Sequence, residues 1–423
     1  MSGPDGPAAA EQGVRERPQS MARSSAEAEG EEPRGDSSEK PKSKRAKRRR
    51  GRRGKGGGSA PEAKPVAPKR EEPRPPQPDK LYAALDLGTN NCRLLIARRA
   101  PEGFKVVDAY SRIVRLGEGL ARSGELGDAA MARAVDALRI CAEKMRRRGV
   151  TRARTIATAA CRTATNGEEF IARVKKETGL QLEIVSTEDE ARLAVAGCAP
   201  LLDSECTSAL VFDIGGGSTE LIWVRLEKDG PGKCRPVIGD WVSLPCGVVT
   251  LAERHGGVDV PGDVYRRMVA EVADRLVPFL DRLKQGNTRE GNFHLLGTSG
   301  TVTTIAGVHL GLERYDRMRV DGIWISPVDV RHVTRSLLEM DYARRAAHPC
   351  VGQERADLVL AGCAIFEAIS DAWPADRLRV ADRGLREGIL MSLMEADAAR
   401  RRRRRRRRKT RRGPGTPVPA GVA

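Results

Sequence analysis

The feature that most constrains this fold is a pattern that occurs twice: an apolar run, an aspartate, a small-residue turn and a second apolar run. It appears in LYAALDLGTNNCRLLIARR around Asp86 and in SALVFDIGGGSTELIWVRL around Asp213, roughly 127 positions later. Short apolar runs bounded by glycine read as buried strands joined by a turn. A third strand follows each copy, FKVVDAYSRIVRL after the first and PVIGDWVSL after the second. Helix and strand then alternate. Met131, Ala134, Val135, Leu138, Cys141 and Met145 share one face of a predicted helix over 128–148. TRARTIAT and LQLEIVS read as strands, GEEFIARVKKETG as a helix stopped by Gly179, and TEDEARLAVAG as a helix with acids in its first turn. The second half continues with helices near 247–254 and 261–284, strand FHLLG, helix GTVTTIAGVHLG, helices around 327–338 and 355–371, strand RLRVA and helix LREGILMSLMEAD. The pattern predicts an α/β protein of two similar tandem lobes, 81–200 and 201–399, with a cleft between them.

Charge confirms that the ends differ from the middle. The formal net charge is +18, but residues 1–80 carry +7 and 400–423 carry +12, which leaves 81–399 close to neutral at −1. A reading of the whole chain as a basic nucleic-acid-binding domain is therefore excluded. The first 80 residues hold 12 of the 25 prolines and no aromatic residue. Such a composition cannot bury enough apolar surface to offset ordering entropy, so 1–80 and 400–423 are expected to be disordered tails. Arg400–Arg408 and KSKRAKRRRGRRGK read either as attractors of a polyanion, RNA or polyphosphate, or as solvated charge. No run of ~18 apolar residues predicts a membrane span, and MSGPDGPAAAEQ lacks the apolar core of a secretory signal. The nine cysteines are scattered without a C-x-x-C pair, which argues against a disulfide framework or zinc site and for small buried hydrophobes in a reducing cytoplasm.

Three segments end an apolar strand in a loop rich in Gly, Ser and Thr: Asp86-Leu87-Gly88-Thr89-Asn90-Asn91, Asp213 to Glu220 with Gly215, Gly216, Gly217, Ser218 and Thr219, and Gly297-Thr298-Ser299-Gly300-Thr301. Glycines let backbone N–H groups surround an anion, and the hydroxyls add donors. Together they read as a phosphate clamp. No G-x-x-x-x-G-K-[ST] occurs, and Gly217 is followed by a strand rather than a helix, so neither a P-loop nor a dinucleotide fingerprint is present. Phosphate chemistry needs cations and a carboxylate. Asp86, Asp213 and Glu220 are the candidates to hold Mg²⁺. Glu190 could accept a proton from water, although spacing alone favours a solvated first-turn acid. Arg162 is open between a phosphate-binding fork and a surface arginine.

DLGTNN, ATAACRTATNGEEF, STEDEARL, VFDIGGGSTEL, LGTSGTVTT and DRGLREGIL, in this order, resemble the Ppx/GppA exopolyphosphatase and guanosine pentaphosphate phosphohydrolase family over about 81–396. The resemblance implies two ribonuclease-H-like lobes of the actin/Hsp70/sugar-kinase fold. It also implies Mg²⁺-dependent hydrolysis of terminal phosphoanhydride bonds of inorganic polyphosphate, with Mn²⁺ as an alternative ion. Glu190 matches the family's general base, Asp213 and Glu220 its metal- and water-binding acids, and Arg162 an arginine near the phosphates. Gly88, Thr89 and Asn90 match the first phosphate loop, Gly215, Gly216, Gly217, Ser218 and Thr219 the second, and Ser299, Gly300 and Thr301 the third. Arg115 falls on a family-typical arginine. Asn91 stands where Ser or Thr is usual, replacing a hydroxyl donor with a carboxamide. Two alternatives stay open: a guanosine pentaphosphate 5′-phosphohydrolase, and a non-catalytic polyphosphate- or nucleotide-binding protein. A homodimer is an open assembly.

Overall fold

The structure is a computed structural model that describes residues 80–101, 103–230, 234–286 and 291–411. The disorder expected for 1–79 and for 412–423 lies outside these residues.

The first lobe is built in chain order from β1 (Leu81–Leu87), β2 (Asn91–Arg99), β3 (Phe104–Ile113), α1 (Leu120–Ser123), α2 (Asp128–Arg147), β4 (Arg152–Ala157), α3 (Ala159–Thr163), α4 (Gly167–Thr178), β5 (Glu183–Ile184) and α5 (Thr187–Cys198). The second contains β6 (Ser208–Ile214), β7 (Thr219–Lys228), β8 (Cys234–Leu244), α6 (Val248–His255), α7 (Gly262–Gln285), β9 (Phe293–Thr298), α8 (Gly300–His309), α9 (Arg317–Val320), β10 (Trp324–Ile325), α10 (Pro327–Leu338), α11 (Tyr342–Ala347), α12 (Val359–Ala372), β11 (Leu378–Ala381) and α13 (Leu385–Arg411).

The sheets run β3-β2-β1-β4-β5 and β10-β11-β9-β6-β7-β8. In each, three antiparallel strands (β1–β3, β6–β8) are extended by strands parallel to the first (β4 and β5; β9 and β11). β10 adds an antiparallel edge. The sequence repeat is thus a duplicated ribonuclease-H-like lobe, and the molecule has the two-lobed actin-like architecture.

LQLEIVS forms only the two-residue β5, because the chain leaves the sheet at Ser186, whose hydroxyl accepts from the Asp189 amide and caps α5. The helix expected at 355 starts at Val359, and turns fill the preceding segment, with Gly352 at φ 74°.

Two helices leave the lobe that their sequence position assigns them. The outer face of the second sheet in Ala209, Val211, Ile222 and Val224 packs on Ala191, Val195 and Cys198 of α5. Tyr82, Ala84, Leu95, Ala97 and Ile156 of the first sheet pack on Ile389, Leu390 and Met394 of α13. The boundary at 200 therefore divides the chain but not the cores. Burying each Val, Ile, Leu or Met among these contributes roughly 1.5–3 kcal/mol, which outweighs sequence proximity. The helices also touch each other closely: a Cβ on Gly197 would lie 1.9 Å from the Gly384 carbonyl oxygen, and one on Gly388 would lie 2.0 Å from that of Leu193. Only glycine fits either place.

Residues 400–411, expected as a disordered tail, continue α13 instead. Arginine is a good helix former, and extending a packed helix avoids the cost of nucleation. Eight of the nine cysteines are buried and all are free. Among the described residues no helix is long and apolar enough to cross a membrane.

Candidate active site

The β1–β2 and β6–β7 turns are built alike and meet across the cleft. Gly88 N–H donates to the Asn91 carbonyl, and Gly215 N–H donates to that of Ser218, both at 2.9 Å. A Cβ on Gly216 would lie 3.0 Å from Thr89 Cβ and 3.2 Å from the Asn90 amide nitrogen, so glycine permits the two backbones to approach. The third loop enters α8 through Ser299, a non-glycine residue at φ 97°. Such strain persists only where the surroundings impose it. These loops line a cavity of about 660 Å³ together with Glu190, Asp86, Asp213 and Glu220. Four buried side-chain oxygens there lack a hydrogen-bond partner: Asp86 Oδ1, Thr89 Oγ1, Asn90 Oδ1 and Ser299 Oγ. Buried polar groups are seldom left unpaired, so these are places where a polar ligand fits.

The crossed helices bring two N-termini to the cleft. Glu190 sits in the first turn of α5, 9% exposed, and Arg386 and Glu387 sit in the first turn of α13. Arg162 Nη1 donates to Glu190 Oε2 at 3.0 Å and to the Val185 carbonyl at 2.9 Å. Burial pushes the Glu190 carboxyl well above the usual range; the Glu220 and Asp86 charges add to this and Arg162 opposes it. Glu220 Oε1 accepts from Ser218 Oγ at 2.7 Å and Ser243 Oγ at 2.8 Å. Burial raises Glu220 too, against these hydroxyls and Arg162. Asp213 is pushed up to about 7 by burial, with Glu220 and Asp86 raising it and Arg93 opposing. Burial also raises Asp86, while Arg93 and Arg386 pull it down.

Among the described residues no three acids, histidines or cysteines converge as a ready-made metal site. Asp86, Asp213 and Glu220 nevertheless suit a hard cation: all three are oxygen donors lining one cavity, and one Asp86 oxygen is unpartnered. A partial set of this kind suits Mg²⁺, which keeps several waters and shares substrate oxygens.

The description of the Ppx/GppA phosphatase family matches residues 95–397. This chain belongs to that family. Exopolyphosphatase 2 of Mycobacterium tuberculosis is 30% identical over 328 residues, covering 74% of this chain and 98% of that protein. The crystal structure of the Aquifex aeolicus Ppx/GppA family member is 29% identical with a TM-score of 0.62, covering 76% of this chain and 99% of that one. A Cytophaga hutchinsonii exopolyphosphatase structure is 25% identical with a TM-score of 0.67, covering 75% and 98%.

In this Ppx/GppA phosphatase, Asp86, Gly88, Thr89, Asn90, Asn91, Glu190, Asp213, Gly215, Gly216, Gly217, Ser218, Glu220, Ser299, Gly300 and Thr301 all line the cavity. Three expected site residues do not. Arg162 lies outside the lining and donates to the Glu190 carboxylate, a contact that orients that side chain. Thr219 Oγ1 is turned away, donating to the Cys246 carbonyl at 2.6 Å, because β7 begins there and alternate side chains point to opposite faces. Arg115, at φ 46°, spends its guanidinium on the other lobe, donating to Asp357 Oδ2 at 2.8 Å, Asp357 Oδ1 at 3.0 Å and the Glu354 carbonyl at 3.1 Å. Through these bonds it ties the two lobes together.

Arg93, Arg355 and Arg386 were not singled out by sequence reasoning, yet they line the cavity. A signal for Arg93 was available: it stands seven residues after Asp86, as Glu220 stands seven after Asp213, in strands of equivalent register. Arg355 lies in a loop whose sequence carries no such signal, and only folding brings it over Gly300.

Proposed function

We propose that this phosphatase hydrolyses the terminal phosphoanhydride bond of inorganic polyphosphate, releasing orthophosphate, with Glu190 as general base. The observation that carries the reading is a buried glutamate, held by Arg162, facing glycine loops from both lobes in which the Thr89 and Ser299 hydroxyls are unpartnered. The names of its relatives, exopolyphosphatases of M. tuberculosis and C. hutchinsonii, point the same way.

Thr89 and Ser299 hydroxyls and the loop amides bind the terminal phosphoryl oxygens, and Arg93, Arg355 and Arg386 offset the charge of the following phosphates. Glu190, oriented by Arg162, accepts a proton from the attacking water. The new P–O bond forms as the bridging P–O bond opposite it breaks, and the shortened chain leaves with that oxygen. A carboxyl raised by burial is a stronger base once ionised. Asp86, Asp213 and Glu220 are the residues that hold Mg²⁺, with Mn²⁺ as the alternative, and the ion when bound offsets phosphoryl charge.

Glu190→Gln tests this. Loss of a general base lowers kcat by ~10²–10⁴-fold, read as Mg²⁺-dependent phosphate release from tripolyphosphate, long-chain polyphosphate and guanosine pentaphosphate in parallel. Polyphosphate binding stays intact. Near-normal turnover removes Glu190 from the role, and release from guanosine pentaphosphate alone moves the substrate to the nucleotide.

A further inference from the structure

α13 joins the cleft to the most concentrated charge in the sequence. Its first turn, Leu385 to Glu387, lines the cavity, and its middle is buried on the first sheet through Ile389, Leu390 and Met394. The last acid along it is Asp397, only 6% exposed. That carboxylate is already taken: Lys80 Nζ donates to it at 2.8 Å and the Tyr82 hydroxyl at 3.2 Å, with Arg152 at 3.9 Å. Asp397 therefore anchors the helix to the start of β1 and neutralises nothing beyond itself. From Arg400 the helix carries nine consecutive arginines and continues through Arg411. Arg400–Arg404 are exposed and make no hydrogen bond or ion pair among the described residues.

An all-cationic stretch repels itself at every i,i+3 and i,i+4 pair. Its only compensation within the helix is the favourable position of cations at a C-terminus. A linear polyanion laid along it would relieve that repulsion and release counterions from both partners. RNA and polyphosphate share the anionic backbone, but residues 385–411 contain no Phe, Trp or Tyr. Single-stranded nucleic acid gains much of its affinity from bases stacked on aromatic rings, with arginine planes adding to it. The surface thus offers charge without an aromatic platform for bases.

We infer that the exposed end of α13 is a docking site for long-chain inorganic polyphosphate, which holds the polymer while its end occupies the cleft. The inference rests on the polyphosphate reading of the cleft. Arg386 and Arg400 are separated by about 21 Å along the helix at 1.5 Å per residue. A long chain can reach both, and tripolyphosphate cannot. Docking at one place raises the effective concentration at the other.

Equilibrium binding tests it in the full chain carrying Glu190→Gln, with and without replacement of Arg400–Arg408 by Gln. Glutamine keeps helix propensity, and Asp397 and the buried apolar residues remain. At about 50 mM salt the replacement is expected to weaken long-chain binding at least roughly tenfold, and at about 300 mM salt the difference shrinks. Tripolyphosphate affinity stays unchanged. Equal long-chain affinities, or equal losses for both ligands, overturn the inference. So does displacement of bound polyphosphate by a lower concentration of single-stranded RNA. If the unsubstituted chain releases no phosphate while the arginine-dependent binding remains, the cleft reading fails and the docking site stands.

Discussion

The two lobes repeat one hairpin with opposite charge. In the first, Asp86 is paired in register with Arg93; in the second, Asp213 is paired with Glu220. The backbone turns match, and both present glycine and hydroxyl groups to the same cavity. What differs is the charge opposite each aspartate. Arg93 lowers both aspartates, whereas Glu220 raises Asp213 and Glu190. The duplicated fold thus provides the cradle twice. Single side chains at equivalent positions make one wall cationic, suited to phosphate, and the other acidic, suited to a cation and a proton acceptor.

The comparison depends on contact between the two turns, so the largest effect is expected from breaking it. Gly216→Ala places a methyl group 3.0 Å from Thr89 Cβ and 3.2 Å from the Asn90 amide nitrogen, which forces the turns apart by a few tenths of an ångström. Small misplacements of reacting groups cost up to ~10²-fold. We expect kcat/KM to fall by roughly that factor, with thermal unfolding little changed. Unaltered kinetics would show that the turns work independently.

Removing the acidic partner sharpens the contrast in charge. Glu220→Gln removes a negative charge that raises Glu190, and with it one of the oxygens proposed for Mg²⁺, so at saturating Mg²⁺ the acid limb of the kcat/KM profile should move to lower pH. The sign follows because the base acts when ionised: activity is lost as pH falls through the raised value, and lowering that value extends activity downward. A stationary limb would uncouple the two carboxylates.

The smallest effect concerns the tie between lobes. Asp357→Asn weakens the two-pronged contact with Arg115, which is one-third exposed and so contributes about 1 kcal/mol or less. Chemical denaturation should register that loss, and KM should change by less than about threefold. A loss comparable with that of Gly216→Ala would make the pair, and not the glycine contact, the main determinant of closure.

Much of the site was legible because its chemistry is local. The loops at Gly88, Gly215 and Ser299 announce themselves through strand patterning and small residues, and folding places all three in one cavity. Glu190 is different. From its spacing it is a solvated acid in a helix's first turn, and its burial follows from α5 lying against the other lobe's sheet. Arg115, Arg162 and Thr219 show the converse. Their residue types suited a phosphate, but each side chain points at a partner supplied from elsewhere in the chain. Nothing in a neighbouring motif signals where such a partner comes from.

By itself the amino-acid sequence determined the duplicated α/β lobes and the glycine turns, because periodicity and backbone freedom act over a few residues. Only the tertiary structure decided that α5 and α13 exchange sheets, which carboxylates are buried together, and which arginines face the cleft. Those outcomes depend on packing between residues up to three hundred positions apart, and on the removal of water from charges that are ordinary until they meet.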